Sequence, residues 1–243
     1  ALGVDVRVGH AADNLGDVAF VTRSTAVPDA NPECRKAVER GLPLLSRAEV
    51  LGAVSTLRDT VAVAGTHGKT TTSSMLALVL REAGLRPSFV IGGDVNEIGT
   101  GAAWDEGDLF VVEADESDSS FLELSSRYGV VTNLEPDHLE HHGGFQPLVE
   151  AFDRFVDAVD GPVVVGSDDL EGAALAARHG VETVGTADGA DWVISGVEES
   201  WEGVRFSLSG PVGGSLEIAL PVPGLHNARN AATAAAAARH VGA

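Results

Sequence analysis

The sequence predicts an α/β fold: a mostly parallel sheet with a small antiparallel β part, preceded by a partial domain of similar build. Three observations carry this. Apolar strand-like runs alternate with amphipathic helical stretches along most of the chain. The strongest run, Val61-Ala62-Val63-Ala64, delivers the backbone straight into a Gly-rich turn. Residues 191–220, by contrast, hold short alternating runs broken by Gly, Ser and Pro, the pattern of antiparallel strands.

Taken in order, residues 4–8 alternate apolar and polar side chains, as a half-buried strand does, and 18–22 form a second apolar run. Pro28 and Pro32 punctuate a turn, a short helix covers 33–39 and stops at Gly41, and Pro43-Leu44-Leu45 is extended. Only a piece of a parallel sheet precedes residue 58, so 1–58 is expected to be a partial Rossmann-like domain and 59–243 a central one. Beyond the Gly-rich turn, Met75, Leu76, Val79, Leu80 and Ala83 are placed on one helical face, with Gly84 as the stop. Further strands are expected at 88–91, Leu109–Glu113, 130–133 and Val163–Gly166. Phe145, Leu148, Val149, Phe152, Phe155, Val156 and Val159 form a long helical stripe that reads as core. Short strands at 192–195, 204–208 and 216–220 make an antiparallel insertion, and an alanine-rich helix runs from Asn227 to about His240.

Composition narrows the function. The chain has 243 residues, 44% of them hydrophobic, and a net charge of −20. So negative a surface disfavours binding nucleic acid through its phosphates, or an anionic membrane. No apolar run approaches the roughly 18 residues that span a bilayer. Cys34 is the only cysteine, which precludes an intrachain disulfide or a cysteine zinc site and fits a reducing cytoplasm. Because Met75 is the only methionine and the chain opens on Ala1-Leu2-Gly3-Val4, it reads as a piece of a longer protein.

Four segments carry chemistry. The first is Gly65-Thr66-His67-Gly68-Lys69-Thr70-Thr71, set between strand and helix as a phosphate loop must be. Its glycines let backbone amides approach phosphate oxygens, and the helix N-terminus adds positive potential. Lys69 is expected on the β- and γ-phosphates of ATP and Thr70 on Mg²⁺; two residues separate the glycines where four are usual. The second is Glu113-Ala114-Asp115-Glu116-Ser117-Asp118, where Glu113 emerges at the C-terminal end of a buried strand and can face the loop across a metal. The third, Thr132-Asn133-Leu134-Glu135-Pro136-Asp137-His138, ends on a histidine suited to a metal or a phosphate; His141 and His142 are expected to face solvent. The fourth is Pro223-Gly224-Leu225-His226-Asn227-Ala228-Arg229-Asn230. Asn227 and Asn230 share a helical face and can bond an adenine or ribose edge, although Asn227 also reads as a plain N-cap.

Together, and in this order, the four segments resemble the motifs of the Mur ligase family, which builds the peptidoglycan stem peptide. The resemblance covers essentially the whole chain; the short phosphate loop is the family's own form, and Val21-Thr22-Arg23-Ser24-Thr25-Ala26-Val27-Pro28 looks like its UDP-sugar-binding domain. The member it looks most like joins L-alanine to UDP-N-acetylmuramate through an acyl phosphate. The resemblance implies ATP and Mg²⁺ as cofactors, with Lys69, Glu113 and His138 in catalysis. It also implies Thr70, Glu113 and His138 as metal ligands, and Gly65 to Thr71 with Asn227 and Asn230 as the ATP site. His67 and the Asp115 to Ser119 stretch are weaker candidates for the muramyl substrate. The family's opening Gly-rich loop and its closing amino-acid-binding domain are not in this sequence, so the chain alone is expected to bind ATP weakly or incompletely and to turn over little or not at all. The rivals are the ligase that returns a recycled tripeptide to UDP-muramate, the more distant folylpolyglutamate synthetase, and a non-catalytic ATP-binding module.

Overall fold

The computed structural model describes residues 4–24, 26–95, 97–116, 120–137, 139–211 and 213–243. The chain divides into two compact units, Ala1–Val54 and Ser55–Ala243.

In the first unit, β1 (Val21–Arg23) pairs in parallel with β2 (Leu44–Ser46). Between them lies α1 (Pro32–Glu39), and α2 (Arg47–Ser55) follows β2. Helix α1 starts where the sequence signals it: Asn31 Oδ1 accepts from Glu33 N at 2.8 Å, and Pro32 takes the first helical position, where its missing N–H is no loss. Polar tethers do much of the holding here. Glu33 Oε1 accepts from Asn14 Nδ2 at 2.9 Å, and Arg40 Nη1 donates to the carbonyl of Gly16 at 2.7 Å. The strand expected at 4–8 does not form. Val4, Val6 and Val8 are 72%, 79% and 102% exposed, and among the described residues no strand pairs with this segment. Alternation makes a strand only where a neighbour completes the ladder.

The second unit is built on one ten-stranded sheet. In chain order it contains β3 (Asp59–Ala64), α3 (Lys69–Glu82), β4 (Ser88–Val95), β5 (Thr100–Ala103), β6 (Leu109–Glu113) and β7 (Tyr128–Val131). Then come α4 (Leu139–His142), α5 (Phe145–Asp157), β8 (Val163–Gly166), α6 (Leu170–His179) and β9 (Glu182–Gly185). The hairpins β10 (Trp192–Ser200), β11 (Gly203–Ser209) and β12 (Ser215–Leu220) precede the last helix, α7 (Leu225–His240). The strands lie in the order β12-β11-β10-β9-β8-β7-β3-β6-β4-β5. Pairing is parallel from β4 through to β10 and antiparallel at both margins. The stretch 191–220 is therefore no separate insertion; β10 pairs in parallel with β9 and carries the same sheet outward.

Strand β3 is central, and every residue after Asp59 is buried. Alternate side chains point to opposite faces, so both faces are covered. Val61 and Val63 join a cluster with Leu76, Leu80, Phe89 and Val111, roofed by Ala234, Ala237 and Ala238 of α7. The neighbouring cluster joins Ala228, Ala232 and Ala236, one helical row, to Trp192, Phe206 and Leu208. Alanine at these places lets α7 lie close against α3 and the sheet. Elsewhere Phe121 meets Phe152 and Phe155 of α5, with ring centroids 5.4 and 5.2 Å away. Truncating such a buried phenylalanine to alanine typically costs roughly 3–5 kcal/mol. The expected face of α3 is corrected in two positions: Val79 is 41% exposed, Ala83 is exposed and caps the helix, and Thr72 and Ser73 are buried in their stead.

Candidate functional site

The phosphate loop occupies the crevice beyond the C-terminal ends of the parallel strands, where α/β sheets collect ligands. Gly65 has φ +131°, and a Cβ there would lie 2.0 Å from Thr132 Oγ1 and 2.9 Å from Thr132 N. Gly68 has φ +81°, caps α3, and would push a Cβ to 2.5 Å from Asn230 Oδ1. Both conditions favour glycine alone. The segment after β7 laces the loop in place. Thr132 Oγ1 and Asn133 Nδ2 donate to the His67 carbonyl at 2.6 and 2.9 Å, and His67 N donates to Asn133 Oδ1 at 2.9 Å. Glu135 N donates to Thr66 Oγ1 at 2.9 Å, while that hydroxyl donates back to the Glu135 carbonyl at 3.2 Å. These scaffolding roles of Thr132, Asn133 and Glu135 were not read from the sequence, where the segment attracted notice only for its histidine.

On one side of the loop the expected phosphate and metal residues converge. Thr70 Oγ1 donates to Glu113 Oε1 at 3.0 Å, and Gly92 N donates to Glu113 Oε2 at 2.7 Å. Lys69 Nζ lies 2.7 Å from the Gly65 carbonyl and bridges to Glu116, 2.9 Å from Oε1 and 2.8 Å from Oε2. Burial pushes the Glu116 carboxyl above its ordinary range, and the adjacent Lys69 opposes that rise. His142 is not turned to solvent as expected: half-buried, its Nε2–H donates to the Glu116 carbonyl at 2.7 Å. His138, Ser117, Asp118 and Ser119 lie outside the described residues. Among the described residues no three His, Cys, Asp or Glu side chains gather as a metal cage. The pairing of a hydroxyl with a carboxylate still fits Mg²⁺, which takes few protein oxygens and completes its octahedron with phosphate and water.

On the other side opens a cleft of about 460 Å³. His67, Gly68 and Thr71 border it from the loop, and Asn227 and Asn230 from α7. Asn227 is not the N-cap; Gly224 holds that place, and Asn227 Nδ2 donates to the Pro223 carbonyl at 2.7 Å. The N-terminal part of α7 is tied down by Arg229 in its second turn, whose Nε donates to Asp168 Oδ2 at 2.5 Å, while Asp168 Oδ1 accepts from Thr186 N and Oγ1 at 2.8 and 2.9 Å. Asp169 caps α6, accepting from Gly172 N at 2.7 Å. Burial raises its carboxyl above the usual range, against the pull of hydrogen bonds from Gly172 and Leu134. Asp168 and Asp169 stand just past the end of β8, a position that could have drawn attention to them in the sequence. Of the other expected loop residues, Gly65 is packed against Thr132 and Thr66 is 5% exposed, so both shape the loop from within.

Residues 63–238 match the Mur ligase middle domain, and residues 1–58 match the Mur ligase family catalytic domain. Among curated relatives, the UDP-N-acetylmuramate–L-alanine ligase of Thermobifida fusca is 44% identical over 99% of this chain and 52% of its own length. That of Acidothermus cellulolyticus is 47% identical over 97% of this chain and 51% of its own. The chain thus spans about half the length of the curated relatives it matches. Among solved structures, UDP-N-acetylmuramate-alanine ligase from Thermotoga maritima superposes with a TM-score of 0.86 at 30% identity, covering all of this chain and 56% of that one. The UDP-N-acetylmuramate:L-alanyl-gamma-D-glutamyl-meso-diaminopimelate ligase from Neisseria meningitides gives 0.84 at 30%, over all of this chain and 81% of that one. With its middle-domain match covering most of the sequence, on a fold and loop of matching form, the chain belongs to the Mur ligase family.

Proposed function

We propose that this chain is the nucleotide-handling part of an ATP-dependent ligase that joins L-alanine to UDP-N-acetylmuramate in the cytoplasm. The observation that carries this reading is the two-sided loop: Lys69, Thr70 and Glu113 cluster on one side, and a cleft bordered by Asn227 and Asn230 opens on the other. One side suits the triphosphate and the other the adenosine. The UDP-sugar is assigned to the first unit.

The reaction must bring a carboxylate and a triphosphate together, two anions that repel. The lactyl carboxylate attacks the γ-phosphorus, the bond to the β-phosphate oxygen breaks, and an acyl phosphate and ADP result. The neutral amine of L-alanine then attacks the acyl carbon, phosphate leaves with the bonding pair and carries away the amine's proton, and the amide forms. Lys69 holds the β- and γ-phosphate oxygens and offsets the charge on the phosphoryl group in flight. Thr70 and Glu113 would hold Mg²⁺, with His138 assigned to a second metal; the metal supplies charge neutralisation on the phosphate oxygens. Gly92 N fixes the Glu113 carboxylate so that it faces Thr70.

The test is ADP release by the longest reading frame that contains this segment. UDP-N-acetylmuramate and L-alanine together should drive it, and Lys69→Ala should lower kcat by roughly 10²–10³. A preference for the L-alanyl-γ-D-glutamyl-meso-diaminopimelate tripeptide over alanine would move the assignment to the recycling ligase, to whose solved structure the chain is also similar. Undiminished turnover in Lys69→Ala would sink both readings.

A further inference from the structure

A phosphate-loop lysine has to reach phosphate oxygens, and Lys69 is already engaged. Its ammonium has three N–H donors. Gly65 O lies 2.7 Å away, Thr66 O 3.4 Å and Glu116 Oε1 2.9 Å, so these acceptors take all three, and Glu116 Oε2 at 2.8 Å adds the charge contact. The pair is also enclosed: the Lys69 side chain is 14% exposed and Glu116 only 2%. Exposed ion pairs trade partners with water at little cost, whereas a buried carboxylate that loses its cation is left heavily penalised. Glu116 is held from behind as well, its carbonyl accepting from His142 of α4 at 2.7 Å. A phosphate arriving at the loop therefore meets a lysine that must be taken from another anion.

We propose that Glu116 is a positioning residue, the resting counter-ion of the phosphate loop, which folds the Lys69 ammonium back onto the loop carbonyls and competes with the nucleotide's β- and γ-phosphates for it. This rests on the reading of the loop as a triphosphate site. The competition sets the sign of the effect. A residue that merely supports the loop weakens nucleotide binding when it is altered; a competing counter-ion strengthens binding when its charge is removed. The effect is confined to ligands whose phosphates reach Lys69. After phosphoryl transfer the diphosphate offers the lysine fewer oxygens, and Glu116 reclaims it, which favours release.

The experiment is calorimetric titration of the longest reading frame that contains this segment with a non-hydrolysable Mg–ATP analogue and, separately, with AMP. Glu116→Gln, and Glu116→Met as an uncharged side chain of similar size, should each bind the triphosphate about five- to tenfold more tightly than the wild type. Neither should change AMP affinity. Folding of both variants is checked by circular dichroism. Triphosphate affinity that is unchanged or weaker in the folded variants overturns the proposal, as does an equal gain for AMP. Failure of both variants to fold overturns it too, since Glu116 would then belong to the architecture of the loop. A wild-type full-length protein that binds neither ligand removes the triphosphate reading itself, and the proposal with it. Wild-type binding without a gain in the variants removes the proposal alone.

Discussion

The two sides of the phosphate loop handle their polar groups differently. On the phosphate side, Lys69 rests on Glu116, and Thr70 on Glu113, which is itself held by Gly92 N. On the cleft side, Gly68, Asn227 and Asn230 border open space of about 460 Å³. The first arrangement is closed by its own charges and must open to receive a ligand. The second is a preformed concavity of the kind small ligands enter. Affinity for the base and affinity for the phosphates should accordingly be separable by mutation, even though one loop of a few residues joins them.

The separation should fail only where the loop itself is broken, and there the effect is largest. Gly65 combines φ +131° with a backbone atom, Thr132 N, 2.9 Å from where a Cβ would go. Gly65→Ala should cost about 3 kcal/mol or more through backbone strain and overpacking. In a unit of this size that corresponds to a fall in melting temperature of roughly 6–12 °C, with both ATP and AMP binding lost. At Gly68, the atom met is the Asn230 side-chain oxygen. A Gly65→Ala protein that melted within a degree of the wild type would show that Thr132 and the loop can move apart, and the two sides would not share one rigid support.

A more moderate effect is expected at Asn230, which is 8% exposed and borders the cleft beside Gly68. Asn230→Ala should weaken ATP and AMP alike, by about tenfold, the scale of one hydrogen bond left unmade. Equal losses in calorimetric titration would place Asn230 on the base side. A loss for ATP that spared AMP would move it to the phosphate side and dissolve the contrast drawn above.

Much of this was legible in the sequence because the strongest signals are local. The run 61–64 is buried on both faces and so has no polar alternation to blur it; the glycines and Lys69 follow at once, and Glu113 ends the neighbouring strand. What stayed hidden depends on distant partners. Residues 4–8 have the strand pattern but no partner strand among the described residues, and the antiparallel strands after 191 look detached until β10 is seen beside β9. Glu116 reads as one more acidic residue in an acidic run, because nothing local shows that it is 2% exposed beneath Lys69. The buttressing of the loop by Thr132 and Asn133 spans more than sixty positions and has no periodic signature.

The smallest effect compares a buried carboxylate, Glu116, with a half-buried one, Asp169, one on each side of the loop. Burial raises both, but Glu116 faces Lys69, whereas Asp169 is held by the backbone N–H groups of Gly172 and Leu134 and feels the charge of Glu135. A carboxyl raised on folding contributes stability that is complete below its unfolded value, near pH 4, and is lost as pH rises through the folded value. Asp169→Asn keeps an oxygen for the Gly172 N–H and the α6 cap while removing the charge. The variant should therefore melt with the wild type near pH 4 and above it by about 1–3 °C at pH 8, the gain kept small because Asp169 borders the cleft and water screens it. Scanning calorimetry at the two pH values decides the matter. An offset independent of pH would mean that the Asp169 charge carries no burial penalty and that the cleft is wetter than its walls imply. A fall at pH 8 would mean that the carboxylate is stabilised there by more than two amides, making the cleft side as compensated as the side that holds Lys69.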